Sequence, residues 1–229
     1  MLMLSTRRFV FSLTILSLAL ASPAGAVTFG QTDDFQDGTT QGWSSTFADP
    51  TPPVNEANVG PAGSGDHSLF IEAAALESIA IRNSTQWTGD YLSAGIDGIQ
   101  FAYDNFGTTP FSLGATISGP GGTVITLSGA PVPGGGGWST GTIDLSSANL
   151  LPLSGSIAST LANVTLIELD HISAGTNLIA SAPISVRLDN IQAVPEPSSL
   201  ALACFGACGC WALCRGWIRH ARREPSASG

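Results

Sequence analysis

Ile99-Gln100-Phe101-Ala102-Tyr103-Asp104 and, a short loop later, Phe111-Ser112-Leu113-Gly114-Ala115-Thr116-Ile117 decide the fold. In each stretch every second residue is apolar. A period of two places those side chains on one face of a strand, with the alternate residues on the other. Ile184-Ser185-Val186-Arg187-Leu188 repeats the pattern, and Thr123, Ile125 and Leu127 are expected to share a face after the turn Gly119-Pro120-Gly121-Gly122. Working outward, further strands are expected over 27–35, 67–75, 78–82, 138–144 and 164–172. Gly60-Pro61-Ala62-Gly63 and the run Pro131-Val132-Pro133 with Gly134 to Gly137 supply breaks between them. Only residues 156–162 read as helix. About nine short strands separated by turn signals predict an all-β, antiparallel β-sandwich.

The 229-residue chain carries 8 basic and 17 acidic side chains, a net charge of −9, with 27 Gly and 14 Pro. All the bases are arginine, and six of them lie near the ends. Residues 27–193 keep Arg82 and Arg187 against fifteen acids, a net of −13. A region so acidic repels polyanions, so nucleic acid is excluded as a partner. The heptads of a coiled coil are equally absent. All four cysteines, Cys204, Cys208, Cys210 and Cys214, fall in one apolar stretch, so no disulfide staples the middle.

Both ends read as targeting segments. Arg7 and Arg8 precede an apolar run, residues 9–20. Ala24-Gly25-Ala26 then supplies a small-x-small cleavage site, which makes residues 1–26 a secretory signal peptide. At the other end Val194-Pro195-Glu196-Pro197-Ser198-Ser199-Leu200 is followed by an uncharged stretch reaching Arg215. The 18 residues between Glu196 and Arg215 form, as a helix, a span of about 27 Å, just enough to cross a bilayer. Arg215, Arg219, Arg222 and Arg223 would hold its end on the cytoplasmic side. Residues 224–229 read as a disordered tail.

This C-terminal arrangement resembles the PEP-CTERM sorting signal of exported bacterial proteins. The resemblance implies that an exosortase recognises Pro195, Glu196 and Pro197 within residues 194–223. The protein would be anchored transiently in the inner membrane through its C-terminal helix. It would then pass to the cell surface or an extracellular matrix, such as that of a biofilm. Its partners would be the exosortase and the secretion machinery, with extracellular polysaccharide a further one.

The middle region resembles carbohydrate-binding-module-like jelly rolls. Asp34-Phe35-Gln36-Asp37-Gly38 with Gly42-Trp43 is similar to their opening, Gly63 to Leu69 to a following strand, and Leu188-Asp189-Asn190-Ile191 to their last strand. Such modules often tie first strand to last with a structural calcium. The resemblance implies Asp34, Gln36, Asp66 and Asp189 as ligands, with Gln36 where those modules carry Glu. Calcium takes six to eight oxygens; the alternative is that these are solvated turn residues bonding nearby amides. Sugar binding would require exposed aromatics. The candidates are Trp87 and Trp138, with Tyr91 and Phe106; Trp43 reads as core.

An enzyme finds little material. Glu168-Leu169-Asp170 places two carboxylates on one strand face and is similar to the active strand of jelly-roll β-glucanases. Ile172 and Ser173 stand where the second glutamate of a retaining pair belongs. No nucleophile elbow accompanies His67 or His171. The expected function is therefore an exported, non-catalytic surface or matrix sandwich processed at its C-terminal motif. The alternative is a carbohydrate-binding module with structural calcium, and a glycoside hydrolase ranks third.

Overall fold

The computed structural model describes residues 26–46, 49–75, 77–172 and 183–195. The signal run with Ala24, and the sorting residues Glu196, Pro197, Arg215, Arg219, Arg222 and Arg223, lie outside the described residues. Among the described residues, no helix is long and apolar enough to cross a membrane.

The architecture is the antiparallel β-sandwich that the alternation implies. One sheet contains β1 (Thr32–Asp33), β3 (Val54–Ala57), β4 (His67–Ala73), β6 (Gly98–Asp104), β10 (Ser139–Asp144) and β13 (Ile184–Val194). Its order is β10-β6-β13-β4-β3, and β1 pairs with the far half of β13. The second sheet contains β2 (Ser44–Ser45), β5 (Ala80–Asn83), β7 (Phe111–Gly119), β8 (Gly122–Thr126), β9 (Ala130–Val132), β11 (Leu150–Gly155) and β12 (Leu166–Ile172). Its order is β11-β8-β7-β12-β5-β2, with β9 alongside the start of β7. Two short helices, α1 (Tyr91–Ala94) and α2 (Ile157–Leu161), are capped by Asp90 and Ser156, whose side chains accept from the amides of Ser93 and Ser159.

The core lies between the sheets. Ile99, Phe101, Ile184, Val186, Leu188, Leu69 and Ile71 face inward from one; Leu113, Ala115, Ile117, Ile81, Ile167 and Leu169 face them from the other. In β8 the observed face is the opposite of the expected one. Val124 and Thr126 are buried, and Leu127 is 55 % exposed. The turn at Pro120-Gly121 pairs Gly119 with Gly122, and therefore Ile117 with Val124. Directly opposed residues share a face, so the tight turn turns Val124 inward whatever its neighbours prefer. The expected strand over 27–35 shrinks to two residues. Gly30 turns the chain at φ 75°, and Phe35, although bulky, adopts φ 57°. β13 carries its own irregularity: the register shifts between Asp189 and Gln192, where Asn190 has φ 49°. This bulge bends the strand between its β4-paired and β1-paired halves.

Candidate functional site

The outer face of the β10-β6-β13-β4-β3 sheet gathers the chemistry. Because Leu69 and Ile71 point inward, Phe70 points out; because Val186 and Leu188 point inward, so does Arg187. Register then aligns Val54, Phe70, Arg187 and Asp104 across four neighbouring strands. The Arg187 Nε donates to Glu56 Oε2 at 2.8 Å, and an Nη donates to Asp104 Oδ2 at 3.5 Å. Its guanidinium lies 4.4 Å from the ring centre of Phe106, a cation–π contact. Phe106 in turn stacks on Phe70, centroids 5.9 Å apart and planes 21° from parallel. Phe106 remains 42 % exposed.

Trp138 adds a wall. It precedes β10 at one edge of the sheet, yet its indole N–H donates to the carbonyl of Val59, beyond β3 at the other edge, at 3.1 Å. The loop beneath is fastened by Gly136 N–H to Asn105 O (2.8 Å) and Gly137 N–H to Asp104 Oδ1 (2.7 Å).

The other aromatic candidates lie elsewhere. Trp87 is wholly buried and unavailable for sugar stacking, which corrects that expectation; Tyr91 is likewise buried and donates its hydroxyl to the Trp87 carbonyl. Trp87 and Trp43 lie 5.9 Å apart, and both indole N–H groups donate to one oxygen of the buried Asp33, at 2.7 and 2.8 Å. Gln86 donates to its other oxygen. Burial raises the Asp33 pKa against the pull of these donors. A buried indole needs an acceptor, and Asp33 provides one for two. Nothing in the local sequence around Trp87 separates this role from an exposed one. Phe70, Glu56, Asp104 and Arg187 were missed for the converse reason: only strand register brings them together.

The four expected calcium ligands are gathered at one corner, where the loop after β1, the loop before β4 and the β13 bulge meet. Most of their carboxylate oxygens are nevertheless already engaged. Asp34 Oδ1 accepts from the Gln36 backbone N–H at 3.2 Å and from Gln41 Nε2 at 3.3 Å. Asp66 Oδ2 accepts from Ala62 N–H at 2.7 Å. Both oxygens of Asp189 accept from Asn190, at 2.7 Å from its N–H and 2.9 Å from its Nδ2. Gln36 Nε2 donates to Asp34 O at 3.0 Å and Asp66 Oδ1 at 2.6 Å. Among the described residues, no group of three acidic, histidine or cysteine side chains could hold a metal ion. The set does not fit calcium as it stands. Burial, reinforced by repulsion from Asp66 and Asp34, pushes Asp189 up to about 7.

Glu168 and Asp170 do share an outer strand face, on the second sheet. Burial raises both pKa values, Thr116 donates to Asp170 at 2.7 Å, and Arg82 opposes Glu168 across the ladder. Two cavities, of about 510 and 540 Å³, flank α1. Each is mostly apolar and contains a single carboxylate, Asp97 in one and Asp90 in the other. Neither holds the paired acids of a glycosidase.

No family model matches the chain, and no curated protein matches it. Among solved structures, an exo-β-agarase aligns with 74 % of this chain and 25 % of its own, at 12 % identity and TM-score 0.53. The family 11 carbohydrate-binding module from Clostridium thermocellum, in complex with a β-1,3-1,4-mixed-linked tetrasaccharide, aligns at 15 % identity and TM-score 0.48, covering 74 % of this chain and 97 % of its own. A non-crystalline cellulose-specific carbohydrate-binding module, CBM28, gives 13 %, 0.45, 76 % and 99 %. The chain thus spans about a quarter of the agarase's length. At such identities the likeness is one of fold: this chain is built as a jelly-roll-like β-sandwich.

Proposed function

We propose that the domain is a non-catalytic glycan-binding module whose site is the outer face of the first sheet. The observation that carries this is the cluster of Phe70, Phe106 and Arg187, with Trp138 bonded to Val59 at the edge of the same sheet. Partly exposed rings offer flat apolar surface to a sugar face. Glu56 and Asp104 hold Arg187 in place, and the second carboxylate oxygen of Glu56 is placed to accept from a sugar hydroxyl. The fold likeness to part of an exo-β-agarase accords with a polysaccharide ligand.

Titration calorimetry against soluble mixed-linkage β-glucan, agaro-oligosaccharide and xylo-oligosaccharide tests this. At least one should bind. Phe106→Ala and Trp138→Ala should each weaken that binding about tenfold or more, since losing about 1.4 kcal/mol of contact is a factor of ten. Binding that survives both substitutions would place the site elsewhere.

We infer, too, that the module is exported and sorted through its C-terminal motif. β13 ends at Val194, immediately before Pro195, whose ring lacks the N–H a ladder needs. The motif therefore begins where the sheet stops. Mass spectrometry of the secreted protein would report a new C-terminus near Glu196; recovery of the intact Arg223 end from the medium would refute processing.

A further inference from the structure

We propose that the side-chain amide of Gln36 takes the place of a cation in the corner formed by Asp34, Asp66 and Asp189, so that the loop after β1 is tied to the loop before β4 without metal. The Gln36 amide nitrogen lies between two acceptors contributed by different segments, the Asp34 carbonyl and the Asp66 carboxylate. Two acceptors drawn toward one point need either a cation or a two-proton donor between them, and the NH₂ group is such a donor. The amide orientation follows from its surroundings, since the opposite rotamer would set its oxygen against two other oxygens.

The corner is rigidly built around that contact. The Asp66 carbonyl accepts from Val59 and Gly60, and its second carboxylate oxygen accepts from Ala62. Gly60 packs so closely on the Asp66 carboxyl that an added Cβ would lie 2.5 Å from it. Asn55 Nδ2 donates to Phe35 O at 2.8 Å and to Thr39 O at 2.7 Å, fixing the Gln36 loop from β3. Asp189, on the bulge of β13, is 1 % exposed, and among the described residues its donors come from Asn190. Both oxygens of Asp66 and of Asp189 accept from protein donors, and the group that joins the Asp34 loop to Asp66 is neutral. A glutamate at position 36 would remove both N–H donors and add a fourth carboxylate. The new group and the carboxylates of Asp34, Asp66 and Asp189 would then repel one another unless a divalent ion joined them.

The test measures the thermal midpoint of the full chain, held in a non-ionic detergent, in excess calcium and then in excess chelator. Wild type should be indifferent. Gln36→Glu should be several degrees less stable in chelator and recover with calcium, because an ion bound by the native state alone stabilises it by mass action. Gln36→Met, similar in length without donors, should be less stable than wild type in both media. A calcium-dependent rise in wild type would show that the amide turns its oxygen to an ion, and would overturn the proposal. A Gln36→Glu protein that folds but ignores calcium would overturn it as well, since the corner would then not be a cation's place.

Discussion

Asp33 carries more of the core's specificity than its size suggests. It is a buried acid on a two-residue strand, and two indoles and an amide converge on it. Asp33→Ala would leave both indole N–H groups buried without acceptors, each a loss of about 1–3 kcal/mol. We expect Asp33→Ala to destabilise by roughly 3–5 kcal/mol in urea unfolding, and Asp33→Asn, which keeps one acceptor oxygen, by less than half of that. Asp49 illustrates the opposite use of a buried carboxylate. It accepts from Thr51 and Ala80 amides, yet burial still pushes it up to about 6. The folded state then holds a proton that the unfolded chain releases near pH 4. Stability from this group is full below that point and declines as pH rises to about 6. Asp49→Asn should remove roughly 3 kcal/mol of pH-dependent stability and so flatten the Tm–pH profile between about pH 4 and 6. An unchanged slope would locate the effect in other acids, Asp189 first.

At the scale of elements, the β7–β8 hairpin acts as a ruler. A Cβ on Gly122, which has φ 127°, would fall 2.1 Å from the Ser154 carbonyl of β11, and one on Gly121 would fall 2.1 Å from Ser159 in α2. Gly122→Ala should therefore cost more than about 2 kcal/mol, whereas Gly38→Ala, with positive φ and open space, should cost about 1 kcal/mol. Chemical denaturation of the pair separates crowding from backbone strain. The same hairpin shows what local pattern does and does not reveal. Alternation located β6, β7 and β13 and their inward faces, because Ile99, Phe101, Leu113 and Val186 have no other way to leave water. It misplaced the face of β8, where Val124-Ile125-Thr126-Leu127 offers apolar residues at both parities and pairing with Ile117 decides. It passed over β3, whose Val54-Asn55-Glu56-Ala57 has no inward apolar row. The candidate site was legible only at Phe106 and Trp138. Phe70 reads as core inside Leu69-Phe70-Ile71, and Arg187 acquires meaning only from Glu56 and Asp104, far away in the chain.

At the scale of the whole molecule, the topology is non-local. β1 and β4 both lie against β13, more than a hundred residues later, and β2 borders β5 in the opposite sheet. A chain ending at Pro183 would lack the strand that separates β6 from β4, leaving Leu69, Ile71 and Phe101 without their neighbours. We expect that truncation to abolish cooperative unfolding in calorimetry, whereas ending at Pro195 should preserve it. Contacts of such sequence separation also predict slow folding, in milliseconds to seconds. The position of β13 has a further implication for passage across a membrane. If the domain is exported, as proposed above, this strand at the middle of the sheet is the last of the sandwich to be threaded through, so the two sheets can close only after nearly the whole domain has crossed.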